Sequence, residues 1–326
     1  MCAVWFGLAM SLCALTLHLL LRSGWAMRLA TDVPNHRSLH VKPIPRVGGW
    51  GVIPVSVALM LWAAPALLPI SLGAAFLAIV SHFDDRGGLP ARVRFLAHFM
   101  AVAVLVALFP PAWGGWGLIA VLVIGLVWIV NLYNFMDGAD GLAGGMTLFG
   151  FLAYALAALP ADRQLGYAAL LVSGAAAGFL LFNFHPARIF LGDAGSIPLG
   201  FLAGGMGYWG WREGVWACWF PFLVFSPFIA DASVTLWRRL LRGEKVWQAH
   251  REHYYQRMVR MGVGHARTAS IWYVLMIAAL TLALAALHAD PGTQVSVLVA
   301  WVAILVVCGC CVDRRWIRFN QKKVSQ

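Results

Sequence analysis

Runs of about 18 or more apolar residues recur along this chain from end to end, and few folds can accommodate them. Within a bilayer every backbone N–H and C=O must find its partner inside the protein, so only helices and closed barrels can span. The runs show no period-2 alternation, which excludes barrel strands and leaves helices. Composition agrees: 61% of the 326 residues are hydrophobic and 11% are charged, against roughly 25% charged in a soluble domain. The expected fold class is therefore all-α: a polytopic integral membrane protein, one transmembrane domain over residues 1–326. No soluble domain, long linker or low-complexity tract interrupts it.

Glycine, proline and charge clusters divide the chain into eleven approximate spans: 2–21, 47–67, 68–82, 93–109, 116–133, 142–159, 166–183, 196–211, 215–236, 269–288 and 295–312. The first has no basic residue ahead of its apolar part and no small-x-small cleavage site, so it reads as a retained span. The six cysteines lie in or beside apolar runs without metal-site spacing and read as small apolar helix residues.

Charge orients the spans. The connections 22–46, 83–94, 132–141, 184–195 and 237–268 and the tail after 312 carry 22 of the 24 Lys and Arg residues; only Arg163 and Arg212 lie opposite. The positive-inside rule puts the first set in the cytoplasm, with a periplasmic N-terminus and a cytoplasmic C-terminus. The net charge of +11 is then explained by basic loops against anionic lipid, with no nucleic-acid partner. The segment Leu-Ala-Gly-Gly-Met occurs at 142–146 and again at 202–206; both copies are expected to open an outward-going helix shortly after an Asp-containing loop, and the echo reads as small residues for close helix packing.

The acidic residues carry the chemistry. Asp84 and Asp85, Asp137 and Asp140, Asp193 and Asp231 all fall at inner ends of spans. A carboxylate at mid-bilayer costs at least about 2.5–3.5 kcal/mol on insertion scales, so acids near membrane depth are functional candidates. Gathered carboxylates tolerate ionisation best around a hard divalent cation, and Mg²⁺ shares oxygen ligands with phosphates and water. Nearby Lys42, Arg46, Arg86, Arg188, His250 and His253 suit a phosphorylated ligand. Together these features point to metal-assisted phosphoryl chemistry at the membrane surface.

The loops differ in information. Asp84-Asp85-Arg86-Gly87-Gly88 also reads as a helix-ending turn. The stretch Asn131-Leu-Tyr-Asn134-Phe-Met-Asp137-Gly-Ala-Asp140-Gly-Leu is too rich in amides and acids for a mere loop. Gly192-Asp193-Ala-Gly195 offers backbone N–H groups ahead of a helix, a site that attracts anions. His250-Arg251-Glu252-His253, at i, i+3, would put both imidazoles on one helix face, as a metal pair, a phosphate clamp or a solvated surface. His18 and His98 lie in apolar spans and read as packing residues.

At these residues the chain resembles the polyprenyl-phosphate N-acetylhexosamine-1-phosphate transferases, glycosyltransferase family 4. The matching pieces are His40-Val-Lys42-Pro-Ile-Pro45-Arg46-Val-Gly48-Gly49, Phe83-Asp84-Asp85, Asn131 through Leu142, Asn183 through Ser196, and His250 through His253. The resemblance implies attack of a membrane polyprenyl phosphate (undecaprenyl phosphate in bacteria) on the β-phosphate of a UDP-N-acetylhexosamine. It implies Mg²⁺, or Mn²⁺ in its place, a bacterial inner membrane, and allows a homodimer. By the family pattern Asp193 looks like the metal ligand, and Asp84, with Asp85 beside it, like the group that deprotonates or orients the lipid phosphate. Asn134 and Asp137 would sit by the diphosphate. Asn183, Asp140 and Phe190 would hold uridine, Phe190 by stacking. Lys42, Arg46, Asn131, Gly192 and Arg251 join the substrate-binding set, and His250 and His253 would contact phosphate or sugar. By the resemblance an acid like Asp231 also recurs near the inner end of its helix in such enzymes, with no assigned role.

His250-Arg251-Glu252-His253 departs from the three successive histidines of the peptidoglycan enzymes and looks like the branch that initiates O-antigen and other surface polysaccharides. UDP-N-acetylglucosamine and 6-deoxy relatives such as UDP-N-acetylfucosamine are the expected donors. A muramoyl-pentapeptide transferase is the alternative within the family. A proton-coupled transporter would place its acids near mid-membrane and not at one face. An intramembrane aspartyl protease would need a Tyr-Asp partner that the chain lacks. A CDP-alcohol phosphotransferase needs a continuation that Asp137-Gly138-Ala-Asp140 does not have.

Overall fold

The computed structural model describes residues 1–32, 43–245, 248 and 250–324. It is a bundle of helices, and each expected span except that over 215–236 falls on one α-helix. Helices α1 (Cys2–Arg22), α2 (Trp25–Leu29), α3 (Gly48–Ala63), α4 (Leu68–Gly87), α5 (Ala91–Leu108) and α6 (Gly115–Phe135) form the first half. They are followed by α7 (Leu142–Ala158), α8 (Arg163–Asn183), α9 (Asp193–Arg212), α10 (Trp219–Val224), α11 (Ser226–Leu241), α12 (Tyr254–Met258), α13 (His265–Ala286) and α14 (Pro291–Val324). Among the described residues, seven helical segments are long and apolar enough to cross a bilayer, and α3 and α7 are shorter apolar helices.

Two expectations change. The span drawn over 215–236 is two helices, α10 and α11, broken at Phe225. Pro227 accounts for the break: it has no N–H to give the carbonyl of Leu223, and its ring crowds that carbonyl. The Ser226 hydroxyl donates to Leu223 O instead, at 2.6 Å, and itself accepts from Trp301 Nε1 at 2.7 Å. The Leu-Ala-Gly-Gly-Met echo also differs in place: its first copy opens α7, while the second lies mid-way along α9. Both copies still do the packing expected of small residues, Gly145 meeting the Tyr273 ring and Gly204 the Leu126 side chain.

Helices α8 and α9 form the buried centre, with α1, α3 and α7 around α8, and α4 and α6 against α9. Consecutive long helices run antiparallel, which sorts the chain termini of each into two ends. One end joins the C-termini of α4, α6 and α8 to the N-termini of α3, α7, α9 and α13. A two-residue antiparallel pairing of Thr31–Asp32 with Ile44–Pro45 lies at this end, Thr31 opposite Pro45. The other end carries Arg163 and Arg212, at the start of α8 and the end of α9. There Asp162 caps α8 through Leu165 N–H (3.0 Å) and accepts from Trp209 Nε1 (3.1 Å). The charge asymmetry read from the connections is thus an asymmetry of the folded bundle.

Candidate active site

The acids converge at the first of these ends. Asp84 and Asp85 close the last turns of α4, and Asp193 is the first residue of α9. The two helices pack together, which brings residues 108 positions apart into hydrogen-bond contact. Backbone closeness makes this possible. A Cβ on Gly49 would lie 2.5 Å from Gly195 N, so the start of α3 is pressed directly on the start of α9. Gly48 and Gly49 N–H donate to Phe190 O and Leu191 O, and Phe190 N–H to Pro45 O, tying the first loop to the loop before α9. Arg46 bridges Phe190 in parallel.

Asp85 is fully buried and acts as the cap of α9: it accepts from Asp193 N–H (3.2 Å) and Ala194 N–H (2.9 Å). The α9 N-terminus offered by the sequence as an anion site is therefore already occupied by a carboxylate of the protein, while Gly195 and Ser196 N–H return to Gly192 O. Gly192, the residue before α9, has φ +74° and ψ 169°, a conformation almost confined to glycine. Asp84 is also committed: it accepts from Leu89 N–H at 2.6 Å and from Arg94 at 3.1 Å. Arg94 lies 3.9 Å from Asp193, so one guanidinium faces both carboxylates. Arg94 was not picked out from the sequence; its place one turn into α5, ten residues after Asp84, was the available signal. Arg46 pairs with Asp32 at 2.9 Å and lies 3.9 Å from Asp85. Burial opposes its charge, but Asp32, Asp193 and Asp85 outweigh it and raise its pKa.

Asp137, in the loop after α6, is partly buried. Burial first, then the charge of Asp193, push its carboxyl well above the usual range; Arg46 opposes them, and Asp85 and Asp32 add smaller upward pushes. Asn134 accepts from Ser196 Oγ at 3.0 Å, joining the end of α6 to the start of α9. Asn131 bonds Val127 O one turn back at 2.7 Å and the side chain of His98.

Asn183 and Asp140 cross-link two loops. Asn183 accepts from Gly141 N–H at 3.0 Å and donates to Ile189 O at 2.9 Å. Asp140 accepts from Ala187 N–H at 3.1 Å and meets His185 Nδ1 at 2.6 Å, and its own N–H donates to His265 Nδ1 at 3.2 Å. Phe190, partly buried, sits at the junction of these loops with Arg46.

Residues 250–253 are not helical, yet the two imidazoles lie 4.8 Å apart. The structure separates their surroundings. His253 is buried, 3.2 Å from Asp231, whereas His250 is partly exposed and accepts from Glu252 N–H at 3.3 Å. Burial, His253 and Arg239 lower the pKa of His250 to about 4. Arg251 gives its carbonyl to Arg260 at 3.0 Å. Tyr255 hydroxyl bonds Phe135 O at 3.1 Å, which places the histidine segment beside the loop of Asp137. Lys42, and His40 of the same motif, lie outside the described residues.

Among the described residues no three or more His, Cys, Asp or Glu side chains form a ready-made metal cage. Mg²⁺ keeps several waters and takes one or two carboxylates plus substrate phosphates. Asp84 and Asp85 have their donors already. Asp193 faces the charges of Asp85 and Asp84, and Asp137 those of Asp193 and Asp85; a divalent cation held by Asp193 and Asp137 would relieve this crowding, and their oxygens fit it.

A bundle of apolar helices with acids and arginines gathered at one end defines a multi-pass membrane enzyme, and comparison with known proteins gives its kind. Residues 67–210 match the model of glycosyl transferase family 4. A decaprenyl-phosphate N-acetylglucosaminephosphotransferase of Mycobacterium tuberculosis is 32% identical over 296 residues, 75% of this chain and 72% of that protein. A probable undecaprenyl-phosphate N-acetylglucosaminyl 1-phosphate transferase of Bacillus subtilis is 28% identical over 268 residues, 76% and 74% of the two chains. A phospho-N-acetylmuramoyl-pentapeptide-transferase of Moorella thermoacetica is 48% identical, but over 80 residues, 24% of this chain and 25% of that one. The chain belongs to glycosyl transferase family 4, the family of polyprenyl-phosphate sugar-1-phosphate transferases.

Proposed function

We propose that the protein transfers N-acetylhexosamine-1-phosphate from a UDP-sugar to polyprenyl phosphate, giving polyprenyl-diphospho-sugar and UMP. The observation that carries this reading is the convergence of Asp84, Asp85, Asp137 and Asp193, with Arg46 and Arg94 among them, at one end of an apolar bundle. The named activities of the relatives that match most of the chain support it. The segment His250-Arg251-Glu252-His253 favours the surface-polysaccharide branch, with UDP-N-acetylglucosamine or a 6-deoxy relative as donor. The basic connections favour a cytoplasmic site in a bacterial inner membrane, N-terminus outside.

In the transfer, an oxygen of the lipid phosphate bonds to the β-phosphorus, and the bond from that phosphorus to the bridging oxygen breaks. UMP leaves with the bridging oxygen. Both reactants are anions, so charge repulsion and misalignment dominate the barrier. Arg94 and Arg46 offset the charge. Asp84, held by Arg94 and Leu89 N–H, orients the lipid phosphate or takes its proton. Asp193 and Asp137 would hold Mg²⁺, which would supply neutralisation of phosphate charge. Asp85 fixes Asp193 by fixing the first turn of α9. Phe190 stacks on the uracil, and the Asn183 and Asp140 cross-links hold its loop in place.

The test is purified protein with Mg²⁺, polyprenyl phosphate and a panel of radiolabelled UDP-sugars. Labelled lipid is expected with at least one UDP-N-acetylhexosamine and none with EDTA. Transport of the intact sugar, or no labelled lipid with any donor, would overturn the proposal.

A further inference from the structure

One buried acid has no place in that scheme. Asp231, on α11, has a fully buried carboxylate surrounded by donors. Oδ1 accepts from Tyr254 N–H at 2.8 Å and Thr235 Oγ1 at 3.2 Å and meets His253 Nδ1 at 3.2 Å; Oδ2 accepts from Tyr255 N–H at 3.1 Å. Among the described residues no Lys or Arg pairs with it. A buried charge so placed is costly unless each lone pair is used. Here they are used on one short segment, the turn that carries the two histidines.

We propose that Asp231 is a positioning residue for the transfer, acting through His253 on His250; this rests on the reaction proposed above. A carboxylate can only accept, so the ring donates to Asp231 Oδ1 when Nδ1 carries its proton, while the same side chain accepts from Gln256 N–H in the capping box of α12. The ring is then held on three sides: Asp231 at Nδ1, Phe135 at a centroid distance of 6.3 Å, and Tyr255 at 5.8 Å with planes 13° apart. His250 packs on the remaining side at 4.8 Å. Phe135 ends α6, two residues before Asp137. Asp231 therefore sets the orientation of the one partly exposed imidazole relative to the Asp137 loop. The capping box of α12, in which Gln256 returns to His253 N–H, holds the same turn from within.

A neutral amide cannot replace the carboxylate. Asn would turn an NH₂ group toward at least one of these donors, so the His253 ring or the Tyr255 N–H loses its acceptor. Partners of this kind, which orient a functional histidine, typically lose about 10–100-fold when removed. Asp231→Asn is accordingly expected to lower kcat by about 10–100-fold, with the donor KM within about twofold of wild type, since nothing that binds uridine is altered. The loss should be clearly less than additive in a His253→Gln background, because the part of it that acts through His253 has nothing left to act on. Should Asp231→Asn fail to fold, Thr235→Val, which removes one donor to Oδ1, repeats the cycle with a smaller effect. Independently of turnover, ¹⁵N spectra of histidine-labelled protein should show the His253 ring resonances in one fixed tautomer in wild type and displaced in Asp231→Asn.

Unchanged kcat in Asp231→Asn, losses that add to those of His253→Gln, or an unaltered His253 spectrum would overturn the assignment. Wild-type protein that makes no labelled lipid would count against the reaction itself, leaving the spectra to decide the contact.

Discussion

Removing the Asp85 carboxylate should unfold the protein more easily as well as stop it working. In Asp85→Ala two buried N–H groups at the start of α9, those of Asp193 and Ala194, lose their acceptor. An unsatisfied buried donor costs about 1–3 kcal/mol, while loss of a helix cap measured as a unit costs typically about 1 and at most about 2 kcal/mol. The contact to Arg46 is long, 3.9 Å, and its partner is partly exposed, so it adds little. Together these give roughly 2–4 kcal/mol. At roughly 2 °C per kcal/mol for a chain of this size, the midpoint should fall by about 4–8 °C. Asp85→Asn keeps one acceptor oxygen and should lose about half as much. The assay is thermal unfolding of purified protein followed by tryptophan fluorescence, for which the 16 tryptophans give ample signal, run beside turnover. A midpoint within about 1 °C of wild type with turnover abolished would refute the capping role and return Asp85 to direct contact with substrate.

Asp193→Asn should abolish turnover while leaving the midpoint unchanged or higher, because a repelling carboxylate is removed; near-normal turnover would end its role as metal ligand. In metal-free protein Asp137 carries a raised pKa, so its proton is bound more tightly folded than unfolded. Stability contributed by that proton is present below the unfolded pKa and is lost as pH rises toward the folded value. Asp137→Asn should therefore stabilise EDTA-treated protein at neutral pH, with the gain vanishing in acid and shrinking when Mg²⁺ is added; equal midpoints at both pH values would contradict the electrostatic account. Gly192→Ala forces a Cβ to 3.0 Å from Asp85 Oδ2 in a glycine-only conformation and should cost about 1–3 kcal/mol, read in the same unfolding assay, with turnover falling in step.

The helices were legible because the bilayer requirement writes each span as an apolar run, and their alternation could be read from 22 basic residues on one set of connections. The break at Phe225 was also written, in Pro227, but an unbroken apolar run masked it. The gathering of Asp84, Asp137 and Asp193 was foreseeable, since acids at one membrane level in separate loops have few other reasons to be there.

What composition and spacing do not disclose is how each carboxylate spends its oxygens. Asp84 and Asp85 are neighbours in sequence, yet one faces Arg94 and the other caps a helix that begins 108 residues later. Asp193 and Asp231 both lie at the same end, but Asp193 has its charge opposed by a guanidinium at 3.9 Å, while Asp231 is enclosed by backbone N–H groups, a hydroxyl and an imidazole. A carboxylate at a membrane face has two ways to stay ionised, a cation or a set of N–H and O–H donors. Those that take donors from the protein build the site, and those left without such a set are the ones that, in the proposed reaction, would meet metal and phosphate. That division follows from which helix termini abut, and it separates Asp85 and Asp231, whose loss should be felt through Asp193 and His250, from Asp137 and Asp193, whose loss should be felt at the phosphates directly.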